Sequence, residues 1–196
     1  LERSNKMSNS WYFAPLVATN PCGEQPLEAY GVCTLGALDL SKFVSPWGGI
    51  NWSLLGSVVT TAVRFLDNVI DINNYHLPEI EENHRSNRRV GLGTMGLGEL
   101  LLRLQIRYGS DEAVSLVDRL YQFIAEKAYH ASINLAMEKG AFDKYDDRYL
   151  RSGFMEAMPE SVRVRVKQHG IRNVCLLTQA PTGTTGTMMG TSTGIE

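Results

Sequence analysis

Two long stretches of the chain repeat apolar residues at alternating steps of three and four. Starting after Asn51, residues Trp52, Leu55, Val59, Ala62, Leu66 and Val69 fall on one stripe, the spacing of a helix that buries a single face. Asn51 has the short polar side chain of an N-cap, and the pattern predicts an end near Asn73-Asn74. After Ser110, residues Ala113, Val117, Leu120, Ile124, Ala128, Ala131 and Leu135 keep the same rhythm until Gly140 supplies a stop.

Shorter apolar runs at residues 13–18, 32–40, 90–92 and 174–177 are bounded by Gly, Pro or Asn, and they predict buried strands. Strands alternating with helices of this length need crossover connections. The predicted class is therefore α/β, with a mainly parallel sheet that is either open or closed into a barrel. Residues 76–89 are dense in charge and broken by proline, and residues 145–158 are mixed in character. Neither reads as a domain linker, and no internal repeat is present.

Composition narrows the function classes. With 196 residues, 43% hydrophobic and 20% charged, the chain suits one globular domain. A balance of 19 Lys plus Arg against 21 Asp plus Glu creates no field that would recruit nucleic acid or an anionic membrane. No uninterrupted apolar run suggests a membrane span, and the polar start lacks a secretory signal, so a cytoplasmic protein is expected. The four histidines are scattered without ligand spacing, so no metal site is expected. The three cysteines, Cys22, Cys33 and Cys175, make neither a CxxC pair nor a disulfide framework. The chain opens without Met and stops just past a Gly/Thr-rich stretch, which reads as a piece of a longer protein.

The run Asn20-Pro-Cys-Gly-Glu-Gln-Pro26 places an amide, a thiol and a carboxylate at every second position. In an extended backbone, Asn20, Cys22 and Glu24 would project to one side. Pro21 and Gly23 suit an irregular loop better than a ladder strand, and an exposed turn is the plain alternative. As chemistry, the trio offers a redox thiol, a general base in Glu24 and an amide able to orient hydroxyls. A second run, Thr178-Gln-Ala-Pro-Thr-Gly-Thr-Thr-Gly-Thr187, follows an apolar segment and is rich in Gly and hydroxyls. If it opens a helix, it offers free N–H groups to an anion such as a diphosphate; otherwise it is a flexible turn.

Asn20-Pro-Cys-Gly-Glu-Gln-Pro-Leu27 resembles the finger-loop signature of cobalamin-dependent ribonucleotide reductases. The stretch from Ala180 to the closing Gly194-Ile-Glu196 is similar to the same family's substrate-phosphate segment. The resemblance implies part of a ten-stranded α/β barrel forming a single, incomplete catalytic domain over residues 1–196, with a radical cysteine on its finger loop. It implies that Cys22 carries a thiyl radical that removes the ribose 3′ hydrogen, that Glu24 takes the 3′-hydroxyl proton, and that Asn20 hydrogen-bonds the ribose hydroxyls. Cys33, within Gly31-Val-Cys-Thr-Leu-Gly-Ala-Leu-Asp-Leu40, corresponds to one of two reducing thiols, and the other lies upstream in the family. Thr182, Gly183, Thr184 and Thr185 would grip the substrate phosphates. The implied cofactor is adenosylcobalamin. The implied partners are a ribonucleoside diphosphate or triphosphate, a thioredoxin-type reductant and a second copy of the complete enzyme. Without the resemblance, Cys33 reads as a buried strand thiol, and Cys175 reads as core.

Gly91-Leu-Gly-Thr-Met-Gly96 matches the GxGxxG dinucleotide fingerprint, which gives a competing reading as a nicotinamide-dependent dehydrogenase using Gly91, Gly93 and Gly96. That fingerprint needs a full strand before it and an acidic residue about 20 positions later at the end of a second strand. Asp111 has the distance but starts a helix. A third reading, a noncatalytic α/β interaction module, requires Asn20, Cys22 and Glu24 to point apart.

Overall fold

The computed structural model describes residues 1–196. Its elements run α1 (Glu2–Met7), β1 (Ala18–Thr19), β2 (Pro26–Leu27), β3 (Thr34–Asp39), α2 (Trp52–Ile72), α3 (Pro78–Asn87), β4 (Val90–Met95), α4 (Leu97–Arg103), α5 (Asp111–Lys139), α6 (Gly153–Ala157), α7 (Glu160–His169) and α8 (Gly183–Met189). Short 3-10 turns cover Leu40–Phe43 and Asp147–Arg151.

The two long helices form where the periodicity places them. Asn51 Oδ1 accepts from the Leu54 amide at 3.0 Å, and Ser110 Oγ accepts from the Ala113 amide at 3.2 Å, so both first turns are capped by side chains. On α2 the buried stripe is Leu55, Val59, Val63, Leu66 and Ile70. It packs on α5 and on the helix-facing side of β3 and β4, within a single core cluster of 30 residues. By length and composition α2 is long and apolar enough to cross a membrane, which corrects the expectation that no segment would qualify. Its stripe is nevertheless committed to this core. In its C-terminal third, Asp67 is fully buried and accepts from Arg88 Nε at 2.7 Å and Asn173 Nδ2 at 2.9 Å.

Strands β3 and β4 pair in parallel, from Thr34↔Val90 to Asp39↔Met95. The predicted strand at residues 174–177 lies along the other edge of β4 but is irregular. Val90 N donates to Cys175 O at 3.1 Å and Leu92 N to Leu176 O at 2.8 Å. A regular parallel ladder would skip a residue between those two carbonyls; here they are adjacent, so the segment bulges and keeps only the bridge Leu92↔Leu177.

The strand expected at residues 13–18 does not form. The amides of Phe13 and Ala14 turn back onto Ser10 O, and Pro15 has no N–H to offer a ladder, so only Ala18 joins a strand. Two charged segments without an apolar stripe prove helical. Helix α3 starts on Pro78 with Glu79 and Glu81 in its first turn, and Arg85 Nε reaches Glu81 Oε1 at 2.7 Å. Helix α7 is held by Val162 and Val166 alone on its buried side.

Candidate active site

The finger segment is a tight hairpin. β1 and β2 are antiparallel with Ala18↔Leu27 and Thr19↔Pro26, and the Asn20 amide donates to Gln25 O at 3.1 Å. Gly23 N donates to Asn20 O at 3.0 Å, with Gly23 at φ +78°, a conformation that favours glycine. The backbone is therefore turned rather than extended, and the period-two argument for a shared direction does not hold. The three side chains sit in different surroundings. Asn20 Oδ1 accepts from the Gln25 amide at 2.9 Å, bracing the loop, while its Nδ2 makes no hydrogen bond. Cys22 is exposed at the tip. Glu24 is half-buried, and its Oε2 is shielded from solvent without a partner.

Two contacts seat this hairpin against the sheet. The Thr178 hydroxyl donates to Glu24 O at 3.1 Å. Just past β2, the buried Glu28 carboxylate accepts from Arg89 Nη2 at 2.7 Å and from Asn87 Nδ2 at 3.1 Å. Neither Glu28 nor Arg89 stood out in the sequence as a site residue. The available signal was the Arg-Arg pair directly before a short apolar strand, where one cation must enter the interior.

Glycines of β4 make the seating possible. A methyl added at Gly91 would lie 2.8 Å from Cys33 Sγ and 2.8 Å from Thr178 Cγ2, and one at Gly93 would lie 2.7 Å from Thr178 O. These glycines stand inside a strand with neighbours pressed onto them, and not on a turn facing a ligand. The dinucleotide reading fails on that placement, because the fingerprint needs its first glycines in the turn between strand and helix.

Cys33 precedes β3, and the register puts it opposite Arg89, with Thr34 N donating to Arg89 O at 3.5 Å. Burial pushes its thiol up to about 12, helped by Cys175, Glu24 and Glu28 and opposed by the Arg89 guanidinium. Cys175 is half-buried. It packs against the core on one side and on the other lines a cavity of about 330 Å³ shared with Glu24, Gln25, Arg89 and Tyr129. All three cysteines are free. Cys33 and Cys175 lie on opposite edges of β4, two strand spacings or roughly 9.6 Å apart. A disulfide needs Cα atoms within about 7 Å, so these two are not a redox pair in this fold.

The Gly/Thr run does open a helix. Thr182 is the N-cap of α8 at φ +51°, and its Oγ1 accepts from Gly194 N at 2.8 Å, closing the loop on itself. Gly183, Thr184 and Thr185 form the exposed first turn, whose amides have no acceptor inside the helix. The entry to this loop is fixed by Gln179, which donates through Nε2 to Thr94 O at 2.9 Å and accepts from Thr94 Oγ1 at 2.9 Å. Its exit is tied down by Thr191, whose hydroxyl contacts Asp39 and Glu99. The loop thus stands at the C-terminal ends of β3 and β4, and Thr178 joins its approach to the finger hairpin.

The chain is similar to curated proteins named as ribonucleoside-diphosphate reductases. It is 44% identical over 180 residues to a vitamin B12-dependent ribonucleoside-diphosphate reductase of Mycobacterium tuberculosis, covering 91% of this chain and 24% of that protein. It is 36% identical over 197 residues to a protein of the same name from Thermoplasma acidophilum, covering 100% and 23%. It is 31% identical over 220 residues to a ribonucleoside-diphosphate reductase subunit alpha of Chlamydia pneumoniae, covering 98% and 21%. The chain therefore spans about a quarter of the length of the curated relatives it matches. The family model described as ribonucleotide reductase, barrel domain, matches residues 1–196, and the chain belongs to that family.

Proposed function

We propose that this chain is the part of a ribonucleotide reductase barrel that presents the radical thiol and anchors the substrate phosphates. The observation that carries the reading is the Thr178–Glu24 hydrogen bond, which ties the finger hairpin to the strand feeding the Gly/Thr loop. In this reading Cys22, as a thiyl radical, removes the ribose 3′ hydrogen. Glu24 takes the 3′-hydroxyl proton, a role its unpartnered Oε2 suits, and Asn20 donates its free Nδ2 to a ribose hydroxyl. The 2′ hydroxyl leaves as water while two thiols give up two electrons and two protons to become a disulfide. Cys33 is one of those thiols, and the second belongs to a segment outside residues 1–196. The first-turn amides of Gly183, Thr184 and Thr185 bind the diphosphate, with a triphosphate as the alternative substrate.

Adenosylcobalamin is the proposed cofactor, in keeping with the names of two relatives. When bound, it would supply the radical chemistry that the chain's own residues do not. The chain fits such a group at one point: Cys22 is exposed at a tip flanked by exposed Pro21 and Gly23, so a bulky planar molecule can approach the sulfur. The protein's task is then to position the thiol and to exclude water. A thioredoxin-type dithiol as external reductant, a homodimeric complete enzyme and a cytoplasmic setting complete the proposal, with residues 1–196 forming one part of a single barrel domain.

The test uses the full-length protein with a ribonucleoside diphosphate, adenosylcobalamin and a dithiol. Deoxynucleotide should form, and Cys22→Ser should abolish it while leaving the nucleotide Kd within about threefold, because a thiol-to-hydroxyl exchange removes no phosphate contact. Turnover retained by Cys22→Ser would contradict the assignment.

A further inference from the structure

Arg89 is an unusual cation. Its side chain is 5% exposed, one guanidinium nitrogen is bound by Glu28, and its Nε is buried with no partner, at the wall of the cavity that also holds Glu24 and Cys175. Its backbone is pinned as well: the carbonyl accepts from Thr34 N on one side and from His84 Nε2 at 3.0 Å on the other. Side chains 89, 91 and 93 share one face of β4, and the two glycines leave that face bare. The guanidinium therefore shares the surface on which Cys33 Sγ rests, with no side chain at 91 to separate them. Of the groups that act on the Cys33 thiol, Cys175, Glu24 and Glu28 oppose its ionisation and the Arg89 guanidinium favours it. Arg89 is the cation among them, and it shares a cavity wall with Cys175 as well.

We infer that Arg89, clamped by Glu28, is a positioning residue that stabilises the thiolate of Cys33 when the disulfide is reduced. The inference rests on the reductase reading for the identity of that step, but its electrostatics can be read without turnover. In the step, an external dithiol's thiolate attacks the disulfide sulfur that is not Cys33 and forms a new S–S bond with it. The Cys33 sulfur leaves with the electron pair and afterwards takes a proton from water. Leaving is faster when the departing thiolate is stabilised, and a half-buried thiolate is stabilised by water only in part. Glu28 has the opposite sign of effect: it fixes the guanidinium but opposes the thiolate. Its partner Asn87 shares that carboxylate, so the clamp does not depend on Arg89 alone.

The experiment is site-resolved alkylation of the full-length reduced protein with iodoacetamide at pH 8, read by peptide mass spectrometry for each cysteine. Arg89→Gln should slow modification of Cys33 about tenfold, the effect of one pH unit of thiolate population. Arg89→Lys should recover most of the rate, and Glu28→Gln should raise it. Cys22, exposed at the hairpin tip, serves as the internal reference and should react at an unchanged rate in every folded variant. A purely structural clamp would loosen in both Arg89→Gln and Glu28→Gln and expose Cys33, so rates that rise together, or a Cys33 rate unmoved by Arg89→Gln, overturn the inference. Should Arg89→Gln not fold, Arg89→Met takes its place with the same expected slowing. Because no nucleotide or cobalamin is present, loss of the reductase reading and loss of this one give separate results.

Discussion

The hydroxyl of Thr178 and the main-chain carbonyl of Glu24 are 3.1 Å apart, a hydrogen bond that spans 154 residues of chain. Because the acceptor is backbone, the bond fixes the height of the hairpin over β4 whatever rotamer Glu24 adopts. Thr178→Val keeps the shape and removes the donor. It should cost about 1 kcal/mol in a urea unfolding experiment and raise hydrogen exchange at the Asn20 and Gln25 amides. Exchange rates equal to those of the parent protein would show that the hairpin is seated by other contacts.

Gly91→Ala adds a methyl where Cys33 Sγ, Thr178 Cγ2 and Leu35 Cδ2 all lie within 2.9 Å. Leu35 is exposed and its end can shift, but Cys33 is a short side chain at the entry to β3 and Thr178 is tied to Glu24, so these two cannot easily give way. A loss of about 1–3 kcal/mol is expected, with turnover falling more steeply than stability if the displaced sulfur has the reducing role proposed for it. Thermal unfolding and a turnover assay on the same preparation check both parts.

Asp67→Asn tests the cluster under α2. Asp67 has no exposed surface and faces Arg88 at 2.7 Å, Arg172 at 3.5 Å and Lys139 at 3.9 Å. Removing its charge leaves Arg88 buried with only Asp71, which is half in solvent. The expected cost is about 3–5 kcal/mol by urea denaturation, the range for breaking one side of a buried pair. A value below about 1 kcal/mol would mean that the cations relax to water.

Alkaline stability follows from the buried acids. Cys33 is pushed up to about 12, and the wholly buried hydroxyls of Tyr129 and Tyr149 are also raised, each first of all by burial. In the folded protein these groups keep their protons, while the unfolded chain releases the thiol proton near pH 9 and the phenol protons near pH 10. Their contribution is therefore fully present below about pH 9 and declines as pH rises toward 12. Each group should steepen the fall by up to about 1.4 kcal/mol per pH unit. Cys33→Ser should flatten the stability curve between pH 9 and 11, and a slope unchanged by that substitution would exclude Cys33 as a source.

The long helices were readable because their stripes and caps are local. Asn51 and Ser110 cap in the structure through the side-chain oxygens that the sequence suggested. Helices α3 and α7 were not, since α3 is supported by Pro78, by first-turn carboxylates and by the Glu81–Arg85 pair, and α7 buries only two valines. The run at residues 13–18 looked like a strand because its apolar residues are real; Leu16 is buried, but against a turn that Ser10 and Pro15 impose. At the site, the Gly/Thr run was legible as a loop opening a helix, and the hairpin as an irregular loop. What period and spacing do not carry is long-range pairing: Glu28 with Arg89, Thr178 with Glu24, and Cys33 over Gly91 all join residues more than 50 positions apart.

Along β4, side chains are missing at the two places where other segments rest. Cys33 Sγ and Thr178 thus rest on main-chain atoms, with no rotamer of β4 between them. Position 91 is therefore intolerant in one direction only: any side chain added there raises what lies above it and cannot lower it.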